Sequence, residues 1–300
     1  MVKNRIPVLD QEKIRLILQN SGMSRTKLGE LLGVNYQTVY RWADKGTKPR
    51  RKESQEIDEL FKATVDLRPT VLKLKETGPD PLTIIRQNRK FYDDLTLRLT
   101  FHTNAIEGSR LTLQETQRIL DGKVVEGREL FELLEAVNHK NAVHHLFQVI
   151  HPGFKIDEAF LLRLHGIVMY DFKNKLPGQY RTGSINVANT EKIVPNAQMV
   201  PIRMKQFLKN VNDLTSDPIG KIARDHFEFE SIHPFFDGNG RLGRLLMATQ
   251  LLCNGFPPAL IEIEDQMKYY TAFDKADNGV VGYMTQLVAE CVVKGFEFFY

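Results

Sequence analysis

Twelve consecutive residues, from His233 to Arg244, concentrate the groups in this 300-residue chain that can do phosphate chemistry. They read HPFFDGNGRLGR, so an imidazole, a carboxylate, three glycines and two arginines lie within one short segment. Glycines let the backbone approach an anion closely, free N–H groups at a helix N-terminus point at it, and guanidinium groups bind phosphate oxygens in pairs. The segment therefore predicts a phosphate-binding loop that opens a helix, with Asp237 as a candidate Mg²⁺ ligand.

Two common nucleotide-binding motifs do not account for this segment. Its glycines match the dinucleotide fingerprint G-x-G-x-x-G, and Glu262 follows at about the expected distance. That fingerprint needs a preceding β-strand in a strand–helix–strand unit, whereas residues 219–232 have a helical pattern. The sequence also lacks G-x-x-x-x-G-K-[ST], so a P-loop is excluded as well.

The segment resembles the signature of the Fic family, H-x-F-x-[DE]-G-N-G-R-x-x-R, at every specified position. The resemblance extends over roughly residues 82–290 and includes Leu-Pro-Gly-Gln-Tyr-Arg at 176–181. It implies a mainly α fold, a Fic helical bundle with one β-hairpin flap. It also implies an enzyme, a protein adenylyltransferase that transfers AMP from ATP to a Ser, Thr or Tyr hydroxyl of a target protein.

The resemblance assigns a role to each matched residue. His233 is implied as the general base that takes the proton of the attacking hydroxyl, which a neutral imidazole can do near pH 7. Asp237 is implied as the ligand of Mg²⁺, the expected cofactor, with ATP as co-substrate. The implied ATP-binding residues are Gly238, Asn239, Gly240, Arg241, Arg244, Tyr269 and Tyr270. The adenine is expected near the two tyrosines.

Residues 178–200 interrupt the helical pattern with short β-leaning runs around a polar turn, which indicates a hairpin. By the resemblance, this hairpin is a flap that pairs with an extended segment of the target protein by strand addition. The expected docking residues are Ile185, Val187, Ile193 and Val194. The sequence does not identify the target, which can be the chain itself.

A second family pattern lies upstream, where residues 103–108 read TNAIEG and fit the inhibitory pattern [ST]-x-x-x-E-[GN] through Thr103, Glu107 and Gly108. A carboxylate at the end of a helix meets partial negative charge and favours a cationic partner. The resemblance implies Arg244 as that partner, which would make the enzyme autoinhibited. The alternative is that Glu107 is an exposed last helical residue and Gly108 its cap.

Helical periodicity covers most of the chain. One long helical segment is predicted from about Leu82 to Gly108, and the next helix is predicted to start at Thr112 with Glu115 as its capping-box partner. Within 128–150, the apolar stripe consists mainly of Phe131, Leu134, Val137, Val143, Leu146, Phe147 and Ile150. Further helices are predicted at 156–170, 201–215, 219–232, 240–254, 265–274 and 280–299.

Positive charge is concentrated at the N-terminus. Residues 1–62 contain 13 Lys and Arg against 8 Asp and Glu, whereas the remainder contains 28 against 29. Between Met23 and Gly46, two short helices are predicted around a turn at Gly33. The apolar residues at core spacing are Leu28, Leu31, Leu32, Val34, Val39 and Trp42.

This N-terminal pattern resembles the helix-turn-helix of Cro and C1-type repressors, whose second helix enters the DNA major groove. The implied DNA contacts are Tyr36, Gln37, Thr38 and Arg41. Nearby basic residues would meet phosphates, namely Lys45, Lys48, Arg50, Arg51 and Lys52. A module for protein contact is the alternative to DNA binding, and a homodimer is left open.

The predicted organisation is a small all-α helix-turn-helix domain at 1–65, a linker and inhibitory helix at 66–111, and a Fic catalytic domain at 112–300. No segment approaches the roughly 18 apolar residues of a membrane span, and no signal-peptide pattern is present, so we expect a cytoplasmic protein without a membrane partner. Two other functions remain as alternatives. One is a transcription regulator that uses the Fic domain as a nucleotide sensor, and the other is a Fic enzyme that removes AMP or transfers another phosphate-containing group.

Overall fold

The computed structural model describes residues 9–185, 194–213 and 215–299. Within them the chain is mostly helical and contains no β-strand, as expected for a mainly α fold. The chain divides into two compact units, with boundaries between Thr77 and Gly78 and between Val292 and Val293. The functional division at 1–65, 66–111 and 112–300 stays a prediction. None of the helices in the described ranges is long and apolar enough to cross a membrane.

The helices before the first boundary are α1 (Asp10–Ser21), α2 (Arg25–Leu31), α3 (Tyr36–Lys45), α4 (Arg51–Thr64) and α5 (Arg68–Thr77). Helices α2 and α3 occupy the predicted helix-turn-helix segment. Gly33 has φ 64°, the left-handed conformation that the predicted turn requires of glycine. The side chain of Asn35 caps α3 by accepting a hydrogen bond from the backbone N–H of Thr38 at 2.9 Å.

Most of the apolar residues predicted for this module lie in its core, since Leu28, Leu32, Val39 and Trp42 are buried. The prediction for Leu31 was wrong, because its side chain is 55% exposed. Leu28 and Leu32 are four residues apart and fill the buried face of the turn, which leaves Leu31 facing solvent.

The long helix predicted from Leu82 to Gly108 is two helices, α6 (Pro81–Gln87) and α7 (Arg89–Ile106), and the prediction of a single segment was wrong. The break lies at Asn88, whose side chain accepts a hydrogen bond from the backbone N–H of Phe91 and caps α7. Gly108 follows the end of α7 with φ 98°, as its predicted role at the helix end requires.

The remaining helices lie close to their predicted positions. They are α8 (Leu113–Leu120), α9 (Leu130–Val149), α10 (Glu158–Val168), α11 (Val200–Asn210), α12 (Pro218–Ile232), α13 (Asn239–Cys253), α14 (Gln266–Asp277) and α15 (Gly282–Phe299). The capping box predicted at Thr112 and Glu115 is confirmed, with both reciprocal hydrogen bonds present. Helix α13 is buried along most of its length and packs against α7, α9, α10 and α12.

The apolar stripe predicted for α9 was partly wrong, because Phe131 and Val137 are exposed. Polar side chains take part in the buried face instead, namely Glu132, Asn138 and His139. They are tolerated there because each makes a hydrogen bond, as the Asn138 side-chain amide does to the carbonyl of Tyr170 at 2.7 Å. A pattern of apolar residues alone does not reveal such a face.

The hairpin predicted at 178–200 falls partly outside the described residues, since 186–193 are not among them. The described flanks, 178–185 and 194–196, form no strand.

Candidate active site

The segment from His233 to Arg244 forms the turn between α12 and α13 and the first residues of α13. His233 ends α12 with φ 49°, a left-handed conformation that costs a residue with a side chain on the order of 1–3 kcal/mol. Gly238 precedes α13 with φ 78°, and a Cβ at this position would lie 2.7 Å from the Sδ atom of Met169. The turn therefore needs glycine at 238 for its backbone conformation and for space.

Asn239 holds the turn in shape from inside. Its side-chain Oδ1 accepts a hydrogen bond from the backbone N–H of Phe235 at 3.0 Å, and its Nδ2 donates to the carbonyl of Phe235 at 2.9 Å. The side chain is buried, and Phe235 is fully buried beside it. Both amide atoms of Asn239 are thus used within the turn, so the groups left to meet an anion are the first backbone N–H groups of α13.

His165 on α10 packs against the turn and supports it, a role that the sequence did not indicate. Its ring stacks on Phe235 with centroids 3.6 Å apart and planes 12° from parallel. Its Nδ1 accepts from the backbone N–H of Gly178 at 2.9 Å, so its Nε2 carries the proton and donates to the carbonyl of Asp237 at 3.1 Å. Burial lowers the pKa of His165 to about 4, which keeps the ring neutral.

Arg241 lies behind the turn and is 3% exposed. Its Nη1 is 2.8 Å from Oε1 of Glu135 on α9, and its Nη2 is 3.2 Å from Oδ1 of Asp237. Burial raises the pKa of Glu135, and Arg241 acts against that rise. No sequence pattern singles out Glu135, because it lies 106 residues from its partner on a helix with other acidic residues.

Asp237 is the carboxylate of the turn that can reach a ligand, with a side chain 41% exposed. Its Oδ1 accepts from the backbone N–H of Gly238 at 2.6 Å, and its Oδ2 is 3.5 Å from Nζ of Lys175. Mg²⁺ in nucleotide sites binds through one or two carboxylates together with phosphate oxygens and water. The described ranges contain no group of three or more His, Cys, Asp or Glu arranged to hold a metal ion. A single accessible carboxylate such as Asp237 fits a metal ion whose remaining ligands are phosphate oxygens and water.

Arg244 is almost completely buried, and its guanidinium is bonded to two other helices. From α7, Glu107 Oε1 lies 2.6 Å from Nη2, and the Thr103 hydroxyl accepts from Nε at 2.6 Å. From α14, the Tyr269 hydroxyl accepts from Nη1 at 3.3 Å. Burial opposes the charge, but Glu107 and Tyr269 more than offset it and raise the pKa of Arg244 overall. Arg244, the predicted partner of Glu107, is thus the residue that the Glu107 carboxylate contacts.

The Glu107 carboxylate also lies against the first turn of α13. A Cβ added to Gly240 would collide with Oε1 of Glu107, so the two groups are in direct contact. An anion at this place meets both the positive end of a helix and the guanidinium of Arg244. Glu107 therefore occupies the place where the sequence predicts a phosphate group.

The two predicted nucleotide-site tyrosines lie on α14, and both have protein partners. The Tyr269 side chain is buried, with its hydroxyl 2.8 Å from Nε2 of His226 in addition to its bond with Arg244. The Tyr270 hydroxyl donates to the carbonyl of Ile106 at 3.1 Å. Gln266, for which no sequence pattern predicts a role, donates to the same carbonyl at 2.9 Å. Helix α14 thus holds both Arg244 and the end of α7.

His233 has the properties of a neutral base. Burial lowers its pKa, and the Glu230 carbonyl, 3.3 Å from Nδ1, acts in the opposite direction as a hydrogen-bond acceptor. With the proton assigned to Nδ1 on this geometry, Nε2 carries the free lone pair. The side chain is 19% exposed, so an incoming hydroxyl group can reach it.

The residues predicted to dock a target are only partly described. Ile185 and Val194 lie in irregular structure and are half-buried, whereas Val187 and Ile193 fall outside the described residues. The residues predicted to contact DNA lie on α3. Of these, Tyr36, Gln37 and Arg41 are exposed and Thr38 is half-buried.

Replacing His165 by Gln is expected to reduce the loss of stability in acid. Because the folded-state pKa of about 4 lies below the ordinary value of 6.5, the unfolded chain takes up a proton that the folded chain refuses as the pH falls between these values. His165 therefore contributes stability above pH 6.5 that is lost through this window, by up to about 1.4 kcal/mol per pH unit. Urea unfolding at pH 7.5, 6.5 and 5.0 measures the free energy of unfolding.

The matched control is His151→Gln, because His151 is exposed. The buried His139 and His226, with pKa values lowered by burial to about 3, keep a residual pH dependence in every variant. Equal slopes in the parent and His165→Gln would contradict a neutral, buried imidazole at this position.

Comparison with known proteins agrees with this geometry. Residues 155–251 match the Fic/DOC family. The chain is 31% identical over 196 residues to protein adenylyltransferase fic-1 of Caenorhabditis elegans, covering 63% of this chain and 38% of the relative. It is 29% identical over 203 residues to protein adenylyltransferase Fic of Drosophila melanogaster, covering 66% of this chain and 41% of the relative. The chain thus spans about two-fifths of the length of these curated relatives.

Solved structures show the same fold. A fragment of Fic-1 from C. elegans superposes with a TM-score of 0.68 at 23% identity, covering 98% of this chain and 88% of the fragment. A Fic domain-containing signaling protein from Bacteroides thetaiotaomicron also gives 0.68, at 20% identity, covering 77% of this chain and 94% of that protein. The turn, with its complete signature, lies within the residues that match the Fic/DOC family.

Proposed function

We propose that the protein is an adenylyltransferase that uses ATP to attach AMP to a hydroxyl group of a protein substrate. The observation that carries this proposal is a single turn that begins with a neutral imidazole, His233, and leads into a helix that carries two buried guanidinium groups, Arg241 and Arg244. The curated relatives named above are protein adenylyltransferases, which supports the same reaction. The protein substrate can be another protein or a second site on this chain.

In the proposed reaction, the hydroxyl oxygen attacks the α-phosphorus of ATP and forms a new phosphoester bond. The bond between the α-phosphorus and the oxygen that bridges to the β-phosphate breaks, and pyrophosphate leaves with the bonding electrons. His233 accepts the hydroxyl proton at Nε2. Because burial lowers the pKa of His233, the ring is neutral near pH 7 and able to take this proton.

The first N–H groups of α13, together with Arg241 and Arg244, would bind the β- and γ-phosphates. Asp237 would hold Mg²⁺ beside them, and the bound ion would neutralise charge on the phosphates. Lys175 lies 3.5 Å from Asp237 and supplies a second cation at the same edge of the turn. The predicted flap would align the protein substrate by strand addition.

The protein is proposed to hold itself inactive through Glu107. Its carboxylate lies where the γ-phosphate would bind, against Gly240 and 2.6 Å from Arg244. Two anions cannot share one guanidinium without strong repulsion. ATP bound beside Glu107 would therefore turn its phosphates out of line with the attacking hydroxyl, and in-line geometry supplies much of the catalysis of phosphoryl transfer.

ATP labelled at the α-phosphate tests the reaction directly. We expect Glu107→Gly protein to transfer the α label to protein and to transfer none from ATP labelled at the γ-phosphate. Adding His233→Ala should nearly abolish transfer and leave ATP binding largely intact, because a base acts on the hydroxyl. His151→Ala is the control, since His151 is exposed and lies outside the turn. Transfer of the γ label alone would replace this proposal with a kinase reaction.

Release of Glu107 is expected to raise activity far more than affinity. Glu107→Gly should increase the rate of AMP transfer by about 100-fold or more, as in-line alignment is restored, and should change the Kd for ATP only modestly. Adding Arg244→Ala should erase the gain. Glu126→Gly serves as the control, because Glu126 is an exposed glutamate in the loop before α9. Equal rates in parent and Glu107→Gly across several candidate substrates would make α7 a structural helix only.

A second activity is proposed for the N-terminal unit, namely DNA binding by α3. The observation that favours it is the exposed face of this helix, where Tyr36, Gln37 and Arg41 project from a buried base formed by Val39 and Trp42. Side chains of these types read base edges in the major groove. The basic residues that follow α3 would bind phosphates on either side. Use of the catalytic domain as a nucleotide sensor for this module remains the alternative function.

Two substitutions separate base contacts from phosphate contacts. With a duplex selected from a random library, Arg41→Ala should weaken binding by about 10-fold to 150-fold for the selected sequence and much less for an unrelated one. Arg50→Ala should weaken binding to both duplexes equally and reduce the salt dependence by about one phosphate contact. Fluorescence anisotropy over a salt series measures both. An absence of DNA affinity even at low salt would reassign the module to protein contact.

A further inference from the structure

Arg181 follows the segment Leu-Pro-Gly-Gln-Tyr and has no role in the mechanism described above. Its side chain is 2% exposed, and its guanidinium donates to carbonyl groups in three separate places. Nε donates to His233 at 2.8 Å, Nη1 to Gly183 at 3.1 Å and Nη2 to Pro195 at 2.5 Å. One buried side chain thus joins the proposed base to both flanks of the predicted flap.

Burying this guanidinium group costs free energy of desolvation. A buried cation loses its hydration, and within the described ranges Arg181 is bonded to backbone carbonyls and to no carboxylate. Carbonyl dipoles satisfy the N–H groups without neutralising the charge. An apolar side chain of similar volume would fill the same space at a lower desolvation cost. Packing alone does not explain an arginine here.

The bond to His233 acts on strained backbone. His233 has φ 49°, which is unfavourable for a residue with a side chain and persists only where neighbouring groups hold it. Arg181 Nε holds the carbonyl of this residue, and the backbone N–H of Arg181 donates to the carbonyl of Pro234 at 2.9 Å. Two consecutive peptide groups at the base are therefore fixed by one residue.

The charge of Arg181 also acts on the base. Burial lowers the pKa of the His233 imidazole, and the Arg181 cation lowers it further. The backbone carbonyl of Glu230 on α12 and the charges of Glu107 and Asp237 act in the opposite direction and raise it. Arg181 thus helps to keep the imidazole neutral while it fixes the backbone.

We propose that, given the transferase activity inferred above, Arg181 is the positioning residue that fixes His233 relative to the two flanks of the flap. The flap would hold the protein substrate, and His233 must meet the substrate hydroxyl. The three carbonyl groups that Arg181 joins therefore set the distance between His233 and the substrate hydroxyl. A shift of about 1 Å in such a distance costs about 100-fold in rate.

Two variants separate geometry from charge. Arg181→Lys keeps the cation but cannot bond three carbonyls at once, because an ammonium group lacks the planar fork of a guanidinium. Arg181→Met removes both the cation and the hydrogen bonds while filling a similar volume. The matched control is Arg203→Met, since Arg203 is exposed on α11. All three are made in the Glu107→Gly protein, and thermal unfolding checks that each one folds.

We expect Arg181→Met to lower kcat for AMP transfer by about 100-fold while the Kd for a non-hydrolysable ATP analogue stays unchanged. The kcat of Arg181→Lys should lie between that of Arg181→Met and that of the Glu107→Gly parent. The pKa of the His233 imidazole, followed by NMR, should rise in Arg181→Met, because a cation is lost, and should stay in place in Arg181→Lys. Arg203→Met should leave kcat, Kd and this pKa unchanged.

The outcomes distinguish this role from the reaction itself. If Glu107→Gly protein transfers AMP and Arg181→Met retains its full kcat with a normal unfolding temperature, Arg181 is not a positioning residue. If Glu107→Gly protein transfers nothing, the proposed reaction fails, and the NMR measurement still decides about Arg181. An unchanged His233 spectrum and pKa in folded Arg181→Met would overturn the link between the two residues.

Discussion

The buried charge of Arg244 is the interaction on which the rest of the site depends. A guanidinium removed from water must be bonded on several sides, because an unpaired buried charge costs on the order of several kcal/mol. Its partners come from α7, through Thr103 and Glu107, and from α14, through Tyr269. Helices distant in sequence are thereby fixed to α13, directly after the turn that carries His233.

The proposed reaction places two opposing requirements on the turn. An anion site needs positive charge, whereas a proton acceptor needs an imidazole that is still neutral near pH 7. Burial lowers the pKa of His233, and the nearby carboxylates of Glu107 and Asp237 limit how far it falls. The backbone separates the two proposed functions, because His233 ends one helix and the N–H groups proposed to bind phosphates begin the next.

Sequence patterns were sufficient where a short motif or a family pattern contains the interacting residues. The turn, the capping box at Thr112 and the contact between Glu107 and Arg244 could be predicted, because each lies in a short motif or in a family pattern. Glu135 and His165 could not, since no motif or family pattern links them to their partners, which lie 106 and 72 residues away. The break at Asn88 was missed for a different reason, because an Asn side chain can cap a helix without any interruption of the apolar pattern.

The position of Glu107 determines how the proposed gate can work. If its carboxylate leaves, Thr103 and Tyr269 still bond the guanidinium of Arg244, so the cation stays oriented for a phosphate. The incoming γ-phosphate would meet the same cation and the same helix N-terminus that Glu107 occupied. One anion then replaces another at a preorganised site. Opening such a gate requires movement of one side chain at the end of α7, without unfolding of the helices that hold Arg244.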